Sequence, residues 1–138
     1  RAFNTIEGHP NELNPNKRPV HTIIPAMISN SDKLIGSFGV MGGQYQAAGH
    51  AYVLSQIIDF GLNPQLALNF PRIFPNNNIL DVEKDFDKEV INELRLRGHA
   101  INYPSLPIGG GQMILMDEER DILIGASDWR KDGLAIGY

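Results

Sequence analysis

Hydrophobic and polar positions follow different periods in successive parts of this chain, and each change of period marks a predicted element. Residues 7–19 are rich in proline and asparagine, which predicts a connecting loop. Two β-like runs follow at residues 22–29 and 33–41, and the polar residues between them favour a turn, so the pattern predicts a β-hairpin. The second run is almost continuous in apolar and small residues, which is typical of a strand in a sheet covered on both faces.

Helical spacing begins shortly after the pair Gly42 and Gly43. Apolar or small side chains recur with this spacing over residues 45–58, and Gly61 predicts the end of the helix. Residues 63–69 begin with asparagine and proline, a cap followed by proline at the first helical position, and they predict a short second helix.

The clearest amphipathic pattern covers residues 85–97, where apolar side chains line one face and Gly98 predicts the end of the helix. Further short extended runs are predicted as strands at residues 72–74, 79–82, 112–117 and 121–126. Together these elements predict one mixed domain of the α+β class over residues 1–138, with helices layered on sheets.

Composition narrows the possible classes of function. The 138 residues are 42% hydrophobic and 20% charged, which predicts a packed core and not a disordered chain. The net charge of −4 is mild and dispersed, so we expect no nucleic-acid partner, and no apolar run approaches the roughly 20 residues that span a bilayer. Without cysteine there is no disulfide, and the four histidines have no metal-binding spacing, so we expect no metal or cofactor.

The junction of Gly42 and Gly43 is the first candidate for chemistry. Two glycines between a strand and a helix let a ligand approach closely, and they can direct consecutive N–H groups at one point beside the positive end of the helix. Such a junction can stabilise the oxyanion of an acyl transfer. Spacing alone favours the simpler alternative, a tight strand-to-helix turn that binds no ligand.

Three other segments carry charge or glycine. The cluster at residues 18–22 has a guanidinium, an imidazole and a hydroxyl that could hold a carboxylate, but a solvated strand entry is the simpler interpretation. The loop at residues 128–133 is expected to form surface ion pairs around a packed Trp129, and residues 109–111 are expected to form a flexible loop. No catalytic triad can be assembled from spacing, and Arg1 is not an N-terminal nucleophile.

Taken in order, these segments closely resemble the γ-glutamyltranspeptidase family. The resemblance is carried by residues 17–25, 39–43, Gln46, Gly49 and His50, 59–65, 67–72, Gly98 and His99, 125–128, and the ending Gly137 and Tyr138. It extends over nearly the whole chain, in the right order, which makes it far more specific than any one segment.

The resemblance implies part of the αββα sandwich of an N-terminal nucleophile hydrolase. In that family a precursor cleaves itself into two subunits, and the new N-terminal threonine of the smaller subunit attacks a γ-glutamyl amide such as glutathione. Its α-amino group is the base, and the acyl group passes to water or to an acceptor amino acid or peptide. By position, Gly42 and Gly43 match the oxyanion-hole glycines, and His21 and Thr22 fall near the substrate's α-carboxylate.

Departures from the family pattern leave the substrate open. Many transpeptidases have two serines where this chain has His21 and Thr22, and the His-Thr version resembles the branch of hydrolases and acylases. Transpeptidation and strict γ-glutamyl preference are therefore open. At Trp129, where proline is common, we expect only a local packing change. The alternatives are an acylase of glutaryl- or cephalosporin-type amides, and a non-catalytic scaffold domain that kept the fold.

The resemblance also implies what this chain needs from elsewhere. The nucleophile and the acidic residues that hold the substrate's α-amino group are expected upstream of Arg1, which places the chain in the C-terminal portion of a smaller subunit. We therefore expect no activity without the larger subunit and the rest of the smaller one. An incomplete sandwich exposes an apolar face, which predicts self-association or a tightly held partner. The compartment stays undecided, although family members are often exported.

Overall fold

The computed structural model describes residues 4–19 and 21–138, so Arg1, Ala2, Phe3 and Val20 of the sequence analysis lie outside the described residues. The elements are, in chain order, β1 (Ala26–Asn30), β2 (Lys33–Met41), α1 (Tyr45–Ile58), α2 (Pro64–Asn69), β3 (Ile73–Asn76), β4 (Ile79–Val82), α3 (Lys88–Leu96), β5 (Ala100–Asn102), β6 (Gly110–Asp117), β7 (Ile122–Ser127) and a 3₁₀ turn at Trp129–Lys131. The predicted hairpin, three helices and two final strands are confirmed, and the α+β class with them.

The larger sheet has four antiparallel strands in the order β1-β2-β6-β7. One row of cross-strand neighbours, Ala26, Phe38, Met113 and Ala126, runs across all four strands. The row belongs to the core on the face where α1 and α2 pack, together with Val53 of α1. Fully burying one large apolar side chain of this kind contributes about 1.5–3 kcal/mol, so this face holds the sheet and both helices together.

The opposite face of the larger sheet is apolar and open to solvent within the described residues. Its side chains alternate with the buried row, and four of them, Met27, Ile114, Met116 and Leu123, are 46–71% exposed. The sequence predicts cover on both faces of β2, whereas residues 4–19 and 21–138 cover only one. An apolar sheet face of this extent suits packing against a second sheet.

The smaller sheet has the order β3-β4-β5, with β3 antiparallel and β5 parallel to β4. Helix α3 connects β4 to β5 and buries Ile91. It begins at Lys88 and not at residue 85, because the side chain of Asp87 caps it by accepting a hydrogen bond from Glu89 N at 2.7 Å. Strand β5 was not predicted, since three residues are too few for a periodic pattern to show.

The predicted flexible loop at residues 109–111 is wrong. Gly110 and Gly111 are buried and begin β6. A Cβ on Gly111 would lie 2.7 Å from a methyl carbon of Leu68, so the close approach of α2 excludes a side chain at this position. Gly111 therefore serves packing between the sheet and α2, and a side chain on Gly110 would meet that of Lys131.

Candidate functional site

Gly42 and Gly43 lie between β2 and α1 in backbone conformations that favour glycine. Their φ angles are +138° and +60°, and both residues are exposed. A Cβ on Gly42 would lie 2.9 Å from the Cα of Gly109 and 3.2 Å from the Cβ of Tyr45, so only glycine fits. A Cβ on Gly43 would meet no atom of the described residues within 4 Å, so those residues leave open space beside the turn.

Hydrogen bonds at the start of α1 decide where the N–H group of Gly43 points. The carbonyl of Gly42 accepts from Tyr45 N at 3.1 Å, and the carbonyl of Gly43 accepts from Gln46 N at 3.2 Å. In a planar trans peptide the N–H points opposite to the C=O, so the N–H of Gly43 points away from the helix. Neither glycine N–H donates a hydrogen bond to any described residue.

The electrostatic setting of the turn favours negative charge. Helix α1 has 14 residues, and its N-terminal end carries the positive pole of the helix dipole. The first turn contains no acidic side chain that would neutralise this pole. Two available N–H groups beside a positive helix end can therefore receive an anionic oxygen.

The segment before β1 leaves the sheet next to this turn. The last pair between β1 and β2 is Ala26 with Phe38, so the strand does not begin at residue 22 as predicted. Pro25 has no N–H to donate, which explains why the ladder stops there. Residues 21–25 consequently lie outside the sheet and leave the end of β2 unpaired on this side.

The predicted carboxylate-binding residues lie on this segment. His21 and Thr22 are both exposed. The Nε2 of Gln46 donates to the carbonyl oxygen of Thr22 at 2.8 Å and to that of Gly43 at 3.3 Å. The side-chain amide of Gln46 therefore donates to both Thr22 and Gly43. His21 directly precedes Thr22 in the chain.

His50 ties α1 to the unpaired end of β2. Its Nε2 accepts from Val40 N at 3.3 Å, and its Nδ1 lies 2.7 Å from the carbonyl oxygen of Gln46. The first contact makes Nε2 an acceptor, so Nδ1 carries the proton and donates to Gln46. Gln46 and His50 are among the residues that carry the family resemblance, but the sequence predicts no role for either. Their i, i+4 spacing on the helix that follows the glycines was the available signal.

A buried ion pair fixes the residues on both sides of Gly109, which lies against the glycine turn. The side chains of Arg72 and Asp128 have no exposed surface, and Nη2 and Oδ2 are 2.6 Å apart. Asp128 Oδ2 also accepts from Gly111 N at 2.8 Å, and Arg72 Nη1 donates to the carbonyl of Ile108 at 2.8 Å. These bonds fix both sides of Gly109, whose Cα abuts Gly42.

A second ion pair extends this network. The guanidinium of Arg130 bonds to Glu83 through Nε at 2.8 Å and to Asp128 through Nη1 at 3.1 Å. Glu83 also accepts from two backbone N–H groups, one of them that of Ile108 at 3.0 Å. Burial by itself raises the pKa of Glu83, but the hydrogen bonds from Arg130 and from the backbone outweigh it and hold the pKa below its usual value.

The predicted surface ion pairs around a packed tryptophan are therefore wrong. Asp128 and Arg130 are buried, whereas Trp129 is 55% exposed and lies under the guanidinium of Arg130, 4.8 Å from ring centre to Cζ. Burial of these charges is tolerated because each makes several hydrogen bonds: the guanidinium donates to oxygen atoms, and the carboxylate accepts from N–H groups. The expectation that Trp129 changes only the local packing stays a prediction.

Tyr45 is the core residue nearest to the turn. It is buried at the first position of α1, its ring contacts Phe74 edge-on at 5.4 Å, and its hydroxyl has no partner among the described residues. Desolvation by burial raises the pKa of Tyr45 to about 12, although the nearby charge of Arg72 opposes the rise. Tyr45 therefore stays neutral, and its ring packs between the turn and the core.

Other features of the described chain do not compete with this site. A cleft of about 460 Å³ lies along α3, where Phe86, Arg95 and Tyr103 are among its lining residues, and none of the predicted site residues lines it. Within residues 4–19 and 21–138, no cluster of His, Asp or Glu side chains could hold a metal ion. None of the helices in those residues is long and apolar enough to cross a membrane.

Known proteins are similar to this chain in sequence and in fold. The profile of the family described as Gamma-glutamyltranspeptidase matches residues 1–138. The chain belongs to the γ-glutamyltranspeptidase family. It is 33% identical to the glutathione hydrolase-like YwrD proenzyme of Bacillus subtilis (strain 168), over 98% of this chain and 27% of that protein. It is 30% identical to the glutathione hydrolase proenzyme of the same strain, over 98% of this chain and 23% of that protein.

A solved relative confirms the fold. The chain is 40% identical to the cephalosporin acylase from Bacillus halodurans, with a TM-score of 0.82, over 99% of this chain and 27% of that one. The predicted fold, part of the αββα sandwich of the N-terminal nucleophile hydrolases, is therefore confirmed. The chain spans about a quarter of the length of these relatives.

Proposed function

We propose that this chain supplies the oxyanion hole and the carboxylate-binding segment of an enzyme that cleaves γ-glutamyl amides such as glutathione. The observation that carries the proposal is the turn of Gly42 and Gly43, whose N–H groups have no acceptor among the described residues and lie at the positive end of α1. The family and the identity with glutathione hydrolases support the substrate class. The nucleophile and base come from a part of the protein outside this chain.

The reaction consists of two acyl transfers. The hydroxyl of an N-terminal threonine adds to the amide carbonyl carbon, and its proton passes to the α-amino group. The carbonyl oxygen becomes negative and accepts hydrogen bonds from the N–H groups of Gly42 and Gly43. The C–N bond then breaks, the leaving amine takes the proton, and the acyl group remains as an ester. Water attacks this ester, the acid is released and the threonine hydroxyl regains its proton.

Thr22 and His21 bind the α-carboxylate of the substrate in this proposal. Both are exposed beside the glycine turn, and a hydroxyl and an imidazole can each donate to a carboxylate. Gln46 holds the backbone of Thr22 by its carbonyl, which leaves the hydroxyl available to a ligand. The carboxylate and the reacting carbonyl of one substrate would thus meet two adjacent segments.

An acylase of glutaryl-type amides is the second candidate. It is favoured by His21 and Thr22 in place of two serines, and by the 40% identity with the cephalosporin acylase. A glutaryl group lacks the α-amino group of a γ-glutamyl group but keeps the chain length to the carbonyl. The two substrates therefore differ in one group, which acidic residues outside this chain would recognise.

The partner in this proposal is the remainder of the same protein. The open face with Met27, Ile114, Met116 and Leu123 would pack against the second sheet of the sandwich, since sandwich cores use apolar faces of this kind. Without that cover, we expect the isolated chain to self-associate and to cleave neither type of substrate. Size-exclusion chromatography that gives a monomer of the isolated chain would contradict the first expectation.

The assay uses the full-length protein that contains this chain, with γ-glutamyl and glutaryl p-nitroanilides as substrates. A higher kcat/KM for the γ-glutamyl anilide is expected, with hydrolysis exceeding transfer to added glycylglycine. A higher kcat/KM for the glutaryl anilide would replace the first candidate by the second. A folded protein that cleaves neither substrate would overturn both candidates and leave the scaffold alternative.

A further inference from the structure

One side-chain amide connects the two halves of the candidate site. The Nε2 of Gln46 lies 2.8 Å from the carbonyl oxygen of Thr22 and 3.3 Å from that of Gly43. An amide nitrogen carries two N–H donors, so one side chain can make both bonds at once. Among the hydrogen bonds of the described residues, no other side chain joins these two segments.

The segment that carries Thr22 has little else to hold it. Residues 21–25 lie outside the strand ladder, because pairing between β1 and β2 stops at Ala26. Burial does not fix the segment either, since Ile23 is 70% exposed. The bond to Gln46 is therefore a principal restraint on where Thr22 lies relative to the glycine turn.

Gln46 is itself held firmly. Its carbonyl oxygen lies 2.7 Å from Nδ1 of His50, and the other nitrogen of that ring accepts from Val40 N at the end of β2. Its backbone N–H donates to Gly43 at 3.2 Å. The helix, the end of β2 and the glycine turn thus fix the backbone of Gln46. Because the backbone is fixed, the side-chain amide sets a defined distance between the two segments to which it donates.

We propose that Gln46 is a positioning residue that sets the distance between the carboxylate-binding segment and the oxyanion turn. The inference rests on the proposed function, in which one substrate spans both segments. Gln46 touches neither the reacting carbonyl nor the nucleophile. It acts through Thr22 and Gly43, and it selects substrates whose carboxylate and scissile carbonyl have the matching separation.

The test uses the full-length protein with Gln46→Met, which keeps the side-chain length but has no N–H donor, and with Gln46→Glu, which replaces the donor by a charged acceptor. Asn92→Leu, a polar-to-apolar change at an exposed site on α3, is the control. Each variant is assayed on the γ-glutamyl anilide and on its analogue with the α-carboxylate converted to a carboxamide. Crystal structures of the wild type and of Gln46→Met report the separation of Thr22 and Gly43.

We expect Gln46→Met to raise KM for the carboxylate substrate by roughly 5- to 10-fold, the size of one net hydrogen bond, with less than about a 2-fold change for the carboxamide. Gln46→Glu should have a larger effect, because its charge repels both carbonyl oxygens. The two segments should separate by about 1 Å, a displacement large enough to affect catalysis. Asn92→Leu should change none of these quantities.

Two results would overturn the inference. One is an equal change for both substrates, which would indicate a structural role for Gln46. The other is an unchanged separation of Thr22 and Gly43 in the crystal structure of Gln46→Met. A wild-type protein that cleaves no anilide would overturn the proposed function instead, and the crystal structures would still test whether Gln46 positions the two segments.

Discussion

Arg72 and Asp128 form an ion pair whose side chains have no exposed surface, with 2.6 Å between Nη2 and Oδ2. Arg72 precedes β3 of the smaller sheet and Asp128 follows β7 of the larger one, so the pair joins the two sheets. The same carboxylate oxygen accepts from Gly111 N at the start of β6. Because the Arg72 charge is fully buried and Asp128 is its only ion-pair partner among the described residues, removing the carboxylate leaves the guanidinium without a counter-charge.

The first prediction concerns this pair. Asp128→Asn in the full-length protein should lower the free energy of unfolding by about 3–5 kcal/mol, because it leaves the Arg72 guanidinium buried without a counter-charge. Urea unfolding measures the loss. The control is Glu118→Gln, since the pair of Glu118 with Lys33 is exposed and should contribute about 0–1 kcal/mol. Similar losses in the two variants would contradict the burial argument.

The second prediction compares the buried Tyr45 with the half-buried Tyr52. Tyr45→Phe removes a hydroxyl that has no partner among the described residues, so the free energy of unfolding at neutral pH should stay within about 1 kcal/mol of the wild type or rise. Tyr52→Phe removes a hydroxyl that donates to Pro71 O at 2.8 Å, and it should cost about 1 kcal/mol. Thermal or urea unfolding of both variants checks the order. A greater loss for Tyr45→Phe would show that its hydroxyl has a partner.

The third prediction concerns acid stability. The pKa of Glu83 is lowered from 4.5, so the folded state binds its proton less readily than the unfolded state does. The contribution of Glu83 to stability is therefore present above pH 4.5 and is lost as the pH falls through the lower, folded pKa. Glu83→Gln should be less stable at neutral pH, because Arg130 loses its ion pair with Glu83 and keeps only the one with Asp128. It should also show a shallower loss of stability in acid. An unchanged acid slope in urea titrations would contradict this assignment.

The sequence predicted elements well wherever local rules decide them. The glycine at position 98 ended α3, and the Asn63-Pro64 pair began α2, because caps and proline act on the nearest few residues. The predicted start of β1 was wrong because hydrogen bonding, and not hydrophobicity, decides where this strand begins. Its apolar pattern continues back to residue 22, but Pro25 ends the ladder, and a hydrophobic pattern does not record hydrogen bonding.

The buried network and the Gln46 contacts could not be predicted in the same way. Asp128 and Arg130 have the composition of a surface loop, and only the tertiary fold brings Arg72 and Glu83 against them. Likewise, Gln46 meets Thr22 because β1 begins at Ala26 and not at residue 22, a strand boundary that the pattern misplaced. Gly42 and Gly43 could be predicted as a candidate turn, but the direction of the Gly43 N–H depends on the hydrogen bonds that the folded helix α1 makes to the turn.

The fourth prediction separates backbone strain from catalysis. Gly43 and Gly61 have similar φ angles of +60° and +67°, and a Cβ on either would meet no atom within 4 Å in the part of the chain that the structure describes. Alanine at either position should therefore lower the free energy of unfolding by a similar amount, roughly 1–2 kcal/mol, because an L-residue is strained at these positive φ angles. Only Gly43→Ala should also lower kcat, by about 10²-fold if it displaces one oxyanion donor.

Unfolding and steady-state kinetics of the full-length protein check this comparison. Gly61→Ala is the control, since Gly61 follows α1 at the end remote from the glycine turn. Equal stability losses with unequal kcat values are expected. If the two variants lose activity in parallel, strain alone would account for the effect of Gly43→Ala.

The central claim is that Gly42 and Gly43 form the oxyanion hole, and a crystal structure of the full-length protein with a γ-boronic acid analogue of glutamate tests it most directly. The boron would form a covalent bond with the nucleophile and carry an oxygen where the oxyanion develops. That oxygen should lie about 2.7–3.1 Å from the N atoms of Gly42 and Gly43. An analogue bound to the nucleophile with this oxygen held by other donors, and both glycine N–H groups facing solvent, would contradict the account.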